Sequence, residues 1–180
     1  PATAMETAAN LGLDEIQALD VTTACVGHLE ALHAATAYLN MHDDLNTALV
    51  CTAELSRGFL DFDIQKTTDL YMKSAGLTIG NAAACFLVRK EPFDTGSIKI
   101  ISVRNYSVPA HWELCQVPID GKFFSSSIEL MKLHKFIAPR LKSFLSACDW
   151  KPEEVDHFVF HQPSETMTRK IISKTGAEDE

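Results

Sequence analysis

No CxxC pair occurs among the five cysteines, which stand at positions 25, 51, 85, 115 and 148. Their odd number and even scatter argue against a disulfide scaffold and against a zinc ribbon, and they fit a reducing compartment, so a cytoplasmic location is expected. No run approaches the roughly 18 apolar residues that span a bilayer, and no basic stretch followed by an apolar core opens the chain. Neither membrane insertion nor export is expected. Basic side chains are also in deficit: sixteen Lys and Arg against twenty-four Asp and Glu give a formal charge of -8. No counterion-releasing surface for nucleic acid is implied. The fragment TIGNAAAC has a Gly-Asn step but no GxGxxG, so a dinucleotide fingerprint is missing, and close backbone packing is the expected use of its small residues. Internal repeats and low-complexity tracts are absent. Pro1 in place of an initiator methionine, and the abrupt polar end GAEDE, point to processing or a partial chain.

What is present reads as globular. With 46% hydrophobic and 22% charged residues, the chain can bury a core; at about 150 residues per domain it makes one domain or two small lobes. LDVTTAC (19–25) reads as a strand leading through a tight turn into a buried helix with Leu29, Leu32, Thr36 and Leu39 at helical spacing. TALVCTAEL (47–55) is continuous enough for a strand covered on both faces, and a polar loop placed to cover a site follows from Arg57 to about Lys73. The small residues of AGLTIGNAAACFLVRK run into another strand, and EPFDTG (91–96) is the strongest punctuation, where the lobe boundary is placed. Beyond it, SIKIISVRNYSV alternates as a strand, and residues 106–127 read as irregular. Leu130, Leu133, Ile137, Leu141, Phe144 and Leu145 mark the apolar stripe of a helix over 127–148, which Pro139 is expected to kink or interrupt near Phe136. HFVFHQPSETMTRKII then reads as a strand ending at His161, with Pro163 and Ser164 at a helix start. Alternating strands and helices indicate an α/β layered fold.

Two positions stand out chemically. Cys25 leaves a strand and opens a helix, so its sulfur lies near unpaired amides and the positive end of the helix dipole, which favours the thiolate. A thiolate takes an acyl group as a thioester, and Gly27 leaves room for substrate or close chain approach. The competing reading is a small buried hydrophobe. His161, at the carboxyl end of its strand, is the best acid or base candidate, against a histidine merely hydrogen-bonded at a helix start. His28 and His33 are five apart, unlike a helical metal pair, and no metal site is expected. Cys51, Cys85, Cys115 and Cys148 are assigned packing roles. Arg169 and Lys170 offer a contact for a carrier's phosphate or acidic surface, against simple solvation.

Taken together, DVTTACVGHLEAL, TALVCTAELS, TIGNAAACFLV, KPEEVDHFVFHQPS and the opening PATAM resemble the type III β-ketoacyl-acyl carrier protein synthase family of the thiolase superfamily. In that family the cysteine of a D-x-x-x-A-C-x-G motif accepts an acyl group and the histidine of an H-Q-x-x motif assists condensation. The resemblance maps these catalytic roles onto Cys25 and His161. It implies an α/β, thiolase-like layered αβαβα fold of two similar halves, incomplete here at both ends. Residues 1–93 are then the latter part of the N-terminal half carrying the nucleophile, and 94–180 the first part of the C-terminal half carrying the histidine. It further implies a homodimer using acyl-CoA or acyl carrier protein as substrate, with no other cofactor. The family's asparagine, from a G-N-T motif beyond the histidine, has no counterpart here; HQPSET stands where H-Q-A-N and an arginine are usual, and GNAAAC where G-D-G-A-G-A is usual.

Three functions follow as expectations. The first is condensation of acyl-Cys25 with a malonyl-type thioester, as in fatty acid or polyketide biosynthesis. The second is transfer to an alcohol or amine acceptor, with His161 as general base. The third is a noncatalytic partner subunit or fragment. Acyl chain length is expected to depend on the loops at 57–73 and 106–127.

Overall fold

The computed structural model describes residues 2–55, 60–116, 125–126, 129, 132 and 134–175. They group into two compact units, 1–52 with 83–100, and 53–82 with 101–180.

The first unit begins with α1 (Thr3–Asn10), which buries Ala8. Its C-terminus is closed by Gly12 at φ +70°, whose N–H donates to the Ala9 carbonyl while Leu13 N–H donates to that of Ala8. This paired closure satisfies two terminal carbonyls and calls for the left-handed backbone that glycine adopts without strain. A single 3₁₀ turn, Ala24–Val26, leads into α2 (Gly27–Met41). The helix forms as its spacing requires, but the apolar stripe is only partly covered. Leu39 is buried, Leu32 and Thr36 are half-buried, and Leu29 is 49% exposed, so the expectation of a buried helix holds only at its C-terminal end.

β1 (Thr47–Glu54) pairs with β2 (Ala82–Arg89). Lys90 N–H donates to the Asn46 carbonyl, and Cys51 faces Cys85 across the ladder. Five residues forward in one strand match five back in the other, so the pair is antiparallel. Burial in β1 alternates, with Val50 inward and Leu49 and Cys51 exposed. A strand covered on both faces was expected; among the described residues one face of β1 is covered. A Cβ built at Gly80 meets nothing within 4 Å, so close backbone packing does not explain that glycine.

In the second unit, the expected polar loop becomes helix from Thr67 onward, as α3 (Thr67–Leu77). The Asp69 carboxylate accepts the N–H groups of Gln65 and Lys66 at its start, which fixes the boundary. Residues 57–59 of that loop lie outside the described residues. A 3₁₀ segment, Pro109–Leu114, precedes β3 (Cys115–Gln116), which pairs antiparallel with β4 (Ser125–Ser126). α4 (His134–Ala147) runs through Pro139 without interruption. Proline removes one hydrogen bond, to the Lys135 carbonyl, and the helix continues because Ala138 and Leu145 keep its stripe buried. Leu130 and Leu133, expected on that stripe, lie outside the described residues. α5 (Glu165–Thr175) packs against α4 and buries Met167, Ile171 and Thr175, one residue per turn. Burying a Leu or Ile here contributes about 2 kcal/mol.

Three expected strands, over 19–25, 97–108 and the approach to His161, carry no ladder among the described residues. Their sequences still alternate: Phe158 and Phe160 stack at 5.8 Å and are half-buried, while Val159 between them is 93% exposed. The pattern suits a pleated surface, but a strand also needs a neighbour for its N–H and C=O groups.

Candidate functional site

Cys25 lies in the first unit and His161 in the second. The Cys25 thiol is exposed in the 3₁₀ turn that feeds α2, so the expectation that it opens a helix holds, while the segment before it pairs with no strand among the described residues. Ala24, immediately before it, has φ +48°. For a residue with a Cβ this left-handed conformation costs roughly 1–2 kcal/mol, and such strain collects where a side chain must be aimed. No side chain caps α2 at Val26. The N–H of Gly27 donates to the Ala24 carbonyl and that of Val26 to the Thr23 carbonyl, so it is the dipole of α2 that favours an anion forming beside Cys25.

What holds this approach is Asp20, five residues before the cysteine. Its two carboxylate oxygens accept the N–H groups of Thr3 and Ala4 at 2.8 Å each, capping α1 from a distance of 17 and 16 residues in sequence. These are charge-assisted bonds at the positive end of a helix. The segment leading to Cys25 is thereby tied to the first helix of the chain. Sequence reasoning saw Asp20 only as a letter of the motif, because no local pattern announces so remote a partner. A Cβ at Gly27 would sit 3.9 Å from the Val21 carbonyl oxygen and from Thr23 Oγ1, an ordinary contact. Close chain approach therefore does not require glycine there.

His161 is exposed and stands four residues before α5. Ser164 caps this helix: its Oγ accepts Met167 N–H at 3.2 Å, and its carbonyl accepts Thr168 N–H at 3.0 Å. The helix start at Pro163 and Ser164 is where the sequence placed it. Gln162, beside the histidine, lines an open depression with Glu165, Thr168, Arg169 and Ile172. Arg169 is engaged one turn back, its Nη2 2.9 Å from Glu165 Oε1, in an exposed pair worth about 0.3–0.5 kcal/mol. His28 is half-buried on α2 and His33 is exposed.

The polar loop before α3 is anchored from the helix. Lys73 is 9% exposed, and its Nζ lies 2.8 Å from Asp61 Oδ2 and donates to the Asp63 carbonyl. The Lys73 ammonium holds the Asp61 carboxyl below the usual carboxylate range, and the Asp63 N–H acts in the same direction.

The remaining cysteines correct the packing assignment. Cys115 and Cys148 are half-buried, but Cys51 and Cys85 are exposed, with their sulfurs 3.0 Å apart. Sharing a hydrogen bond with Cys85 pushes the Cys51 thiol up from its ordinary value.

Comparison with known proteins places these features in a family. The sequence model of 3-oxoacyl-[acyl-carrier-protein] synthase III matches residues 19–108, half of the chain, including Cys25. A β-ketoacyl-[acyl-carrier-protein] synthase III of Aliarcobacter butzleri is 25% identical, with 100% of this chain covering 56% of that protein. An acyl-CoA:acyl-CoA alkyltransferase of Shewanella oneidensis is 24% identical over 96% of this chain and 55% of its own length. Among solved structures, Xanthomonas campestris OleA superimposes with a TM-score of 0.80 at 21% identity, over 98% of this chain and 53% of that one. The chain spans about half the length of the relatives it matches. The fold is α/β and thiolase-like, and the chain belongs to the 3-oxoacyl-[acyl-carrier-protein] synthase III family of the thiolase superfamily.

Proposed function

We propose that this chain carries the acyl-accepting part of a condensing enzyme, with Cys25 as nucleophile and His161 as its catalytic partner. The observation that carries the reading is the setting of Cys25: an exposed thiol between a strained Ala24 and the uncapped start of a 15-residue helix, inside the stretch that matches the family. The Cys25 sulfur attacks the carbonyl of an acyl thioester, from acyl-CoA or acyl carrier protein. The tetrahedral oxyanion collapses, the carrier thiol leaves with the proton, and acyl-Cys25 remains. His161 then donates a hydrogen bond to the thioester oxygen of a malonyl-type acceptor as charge develops during loss of carbon dioxide. One such donor typically lowers the barrier by about 2.7–4 kcal/mol. In this reading residues 1–93 belong to the half bearing the nucleophile and 94–180 to the half bearing the histidine, in a cytoplasmic homodimer.

The relatives named acyl-CoA:acyl-CoA alkyltransferases support a second reading, in which the acceptor is another acyl-CoA. Supplying acyl-CoA with malonyl thioester separates the two. Acceptor-dependent release of carbon dioxide is expected for the first, and condensed product without malonyl thioester for the second. Transfer to an alcohol or amine yields neither, and a noncatalytic subunit never acquires the acyl group.

A further inference from the structure

We infer that Cys51 and Cys85 form a reversible modification site: a cross-strand dithiol that small disulfide oxidants convert to an intramolecular disulfide. The two thiols face each other across β1 and β2, both exposed, with sulfurs 3.0 Å apart. Their register makes the contact structural. Asn46 and Lys90 are a hydrogen-bonded pair of the antiparallel ladder, and such pairs alternate with non-hydrogen-bonded ones, so Cys51 and Cys85, five positions along, are of the second kind. There the Cα atoms stand about 4.5 Å apart and the side chains approach most closely. That separation lies within the range of roughly 4.4–6.8 Å that a disulfide bridges, so the bond forms by side-chain rotation with the ladder intact. Neither sulfur is used by the proposed chemistry at Cys25.

The reaction with a disulfide such as oxidised glutathione balances as two exchanges. One protein thiolate attacks the oxidant, forming a mixed disulfide and expelling one small thiol. The facing thiolate then attacks the protein sulfur of that mixed disulfide, closing the cross-strand bond and expelling the second small thiol. The protein loses two electrons and two protons; the oxidant gains both and becomes two thiols.

The test treats the native full-length protein with oxidised glutathione and digests it, unreduced, after Lys, Arg and Glu. That digestion separates Cys25 (peptide 16–30) from Cys51 (31–54) and Cys85 (74–89). The expected result is a linked 31–54/74–89 pair, two hydrogens lighter than its parts, that a dithiol reductant separates, while the thiols titratable in residues 1–180 fall from five to three. In Cys51→Ser the glutathione adduct is expected to persist on Cys85 because no facing thiol displaces it. Five thiols still titrating after treatment, a link to Cys25, or a bond between two chains would each overturn the inference. The unsubstituted protein decides this even where the variant does not fold.

Discussion

The helix after Cys25 and the helix after His161 begin in opposite ways. α5 starts on a local side-chain cap, Ser164, at no cost to backbone geometry. α2 starts without one; the chain enters through a 3₁₀ turn with Ala24 in the left-handed region, while Asp20 secures the approach by binding the start of α1. A capped start is set by adjacent residues and stabilises itself. A strained start persists only where more distant contacts hold it, and here it sets the thiol at the positive end of the helix dipole. The contrast assigns the histidine end to local sequence and the cysteine end to tertiary structure.

The largest break in this comparison comes from the support of α5. Leu145 is 4% exposed in α4, the helix that packs against α5, so Leu145→Ala is expected to lower stability by about 3 kcal/mol. Amide exchange should accelerate in α5 more than in α2; equal acceleration in both would show that the two helices do not depend on different supports. Next, Asp20→Ala removes both bonds to α1 and is expected to cost about 1.5 kcal/mol, and Asp20→Asn to recover part of it in a thermal melt. Ser164→Ala is expected to cost about 1 kcal/mol, but Ser164→Gly only a few tenths. Ala24→Gly has the opposite sign, raising stability by about 0.5–1 kcal/mol because glycine meets no Cβ penalty at φ +48°; a loss of stability would contradict the strain.

The smallest effect concerns pH. Because Lys73 lowers the Asp61 carboxyl in the folded chain, the stability from this pair is present above the unfolded value, about 3.9, and is lost as pH falls through the folded value. Asp61→Asn is expected to flatten the dependence of the melting temperature on pH below about 4 while leaving it unchanged near neutrality.

Much of this was legible where the signal is local. Periodicity placed α2 and α4, and Pro163 with Ser164 marked the start of α5, which begins at Glu165. β1 and β2 were recognisable from their apolar runs, and the position of Cys25 at a helix start, with the family resemblance of D-x-x-x-A-C-x-G, pointed to that residue. What the residues did not reveal depends on partners remote in sequence. Ile98 is 95% exposed in a segment that alternates like a strand yet carries no ladder among the described residues, since alternation reports a side-chain pattern and not the presence of a neighbour. The bond from Asp20 to Thr3 and the meeting of Cys51 with Cys85 likewise arise only after register and tertiary contacts are set. Two cysteines 34 residues apart gave no hint of that meeting.

The central claim is that the Cys25 thiol, and no other, takes the acyl group. Incubating the native full-length protein with acyl-CoA and mapping the added mass tests it directly. The account predicts one acyl group on peptide 16–30, released by hydroxylamine and absent in Cys25→Ala. An unmodified peptide 16–30, or an acyl group carried by another cysteine, would contradict it.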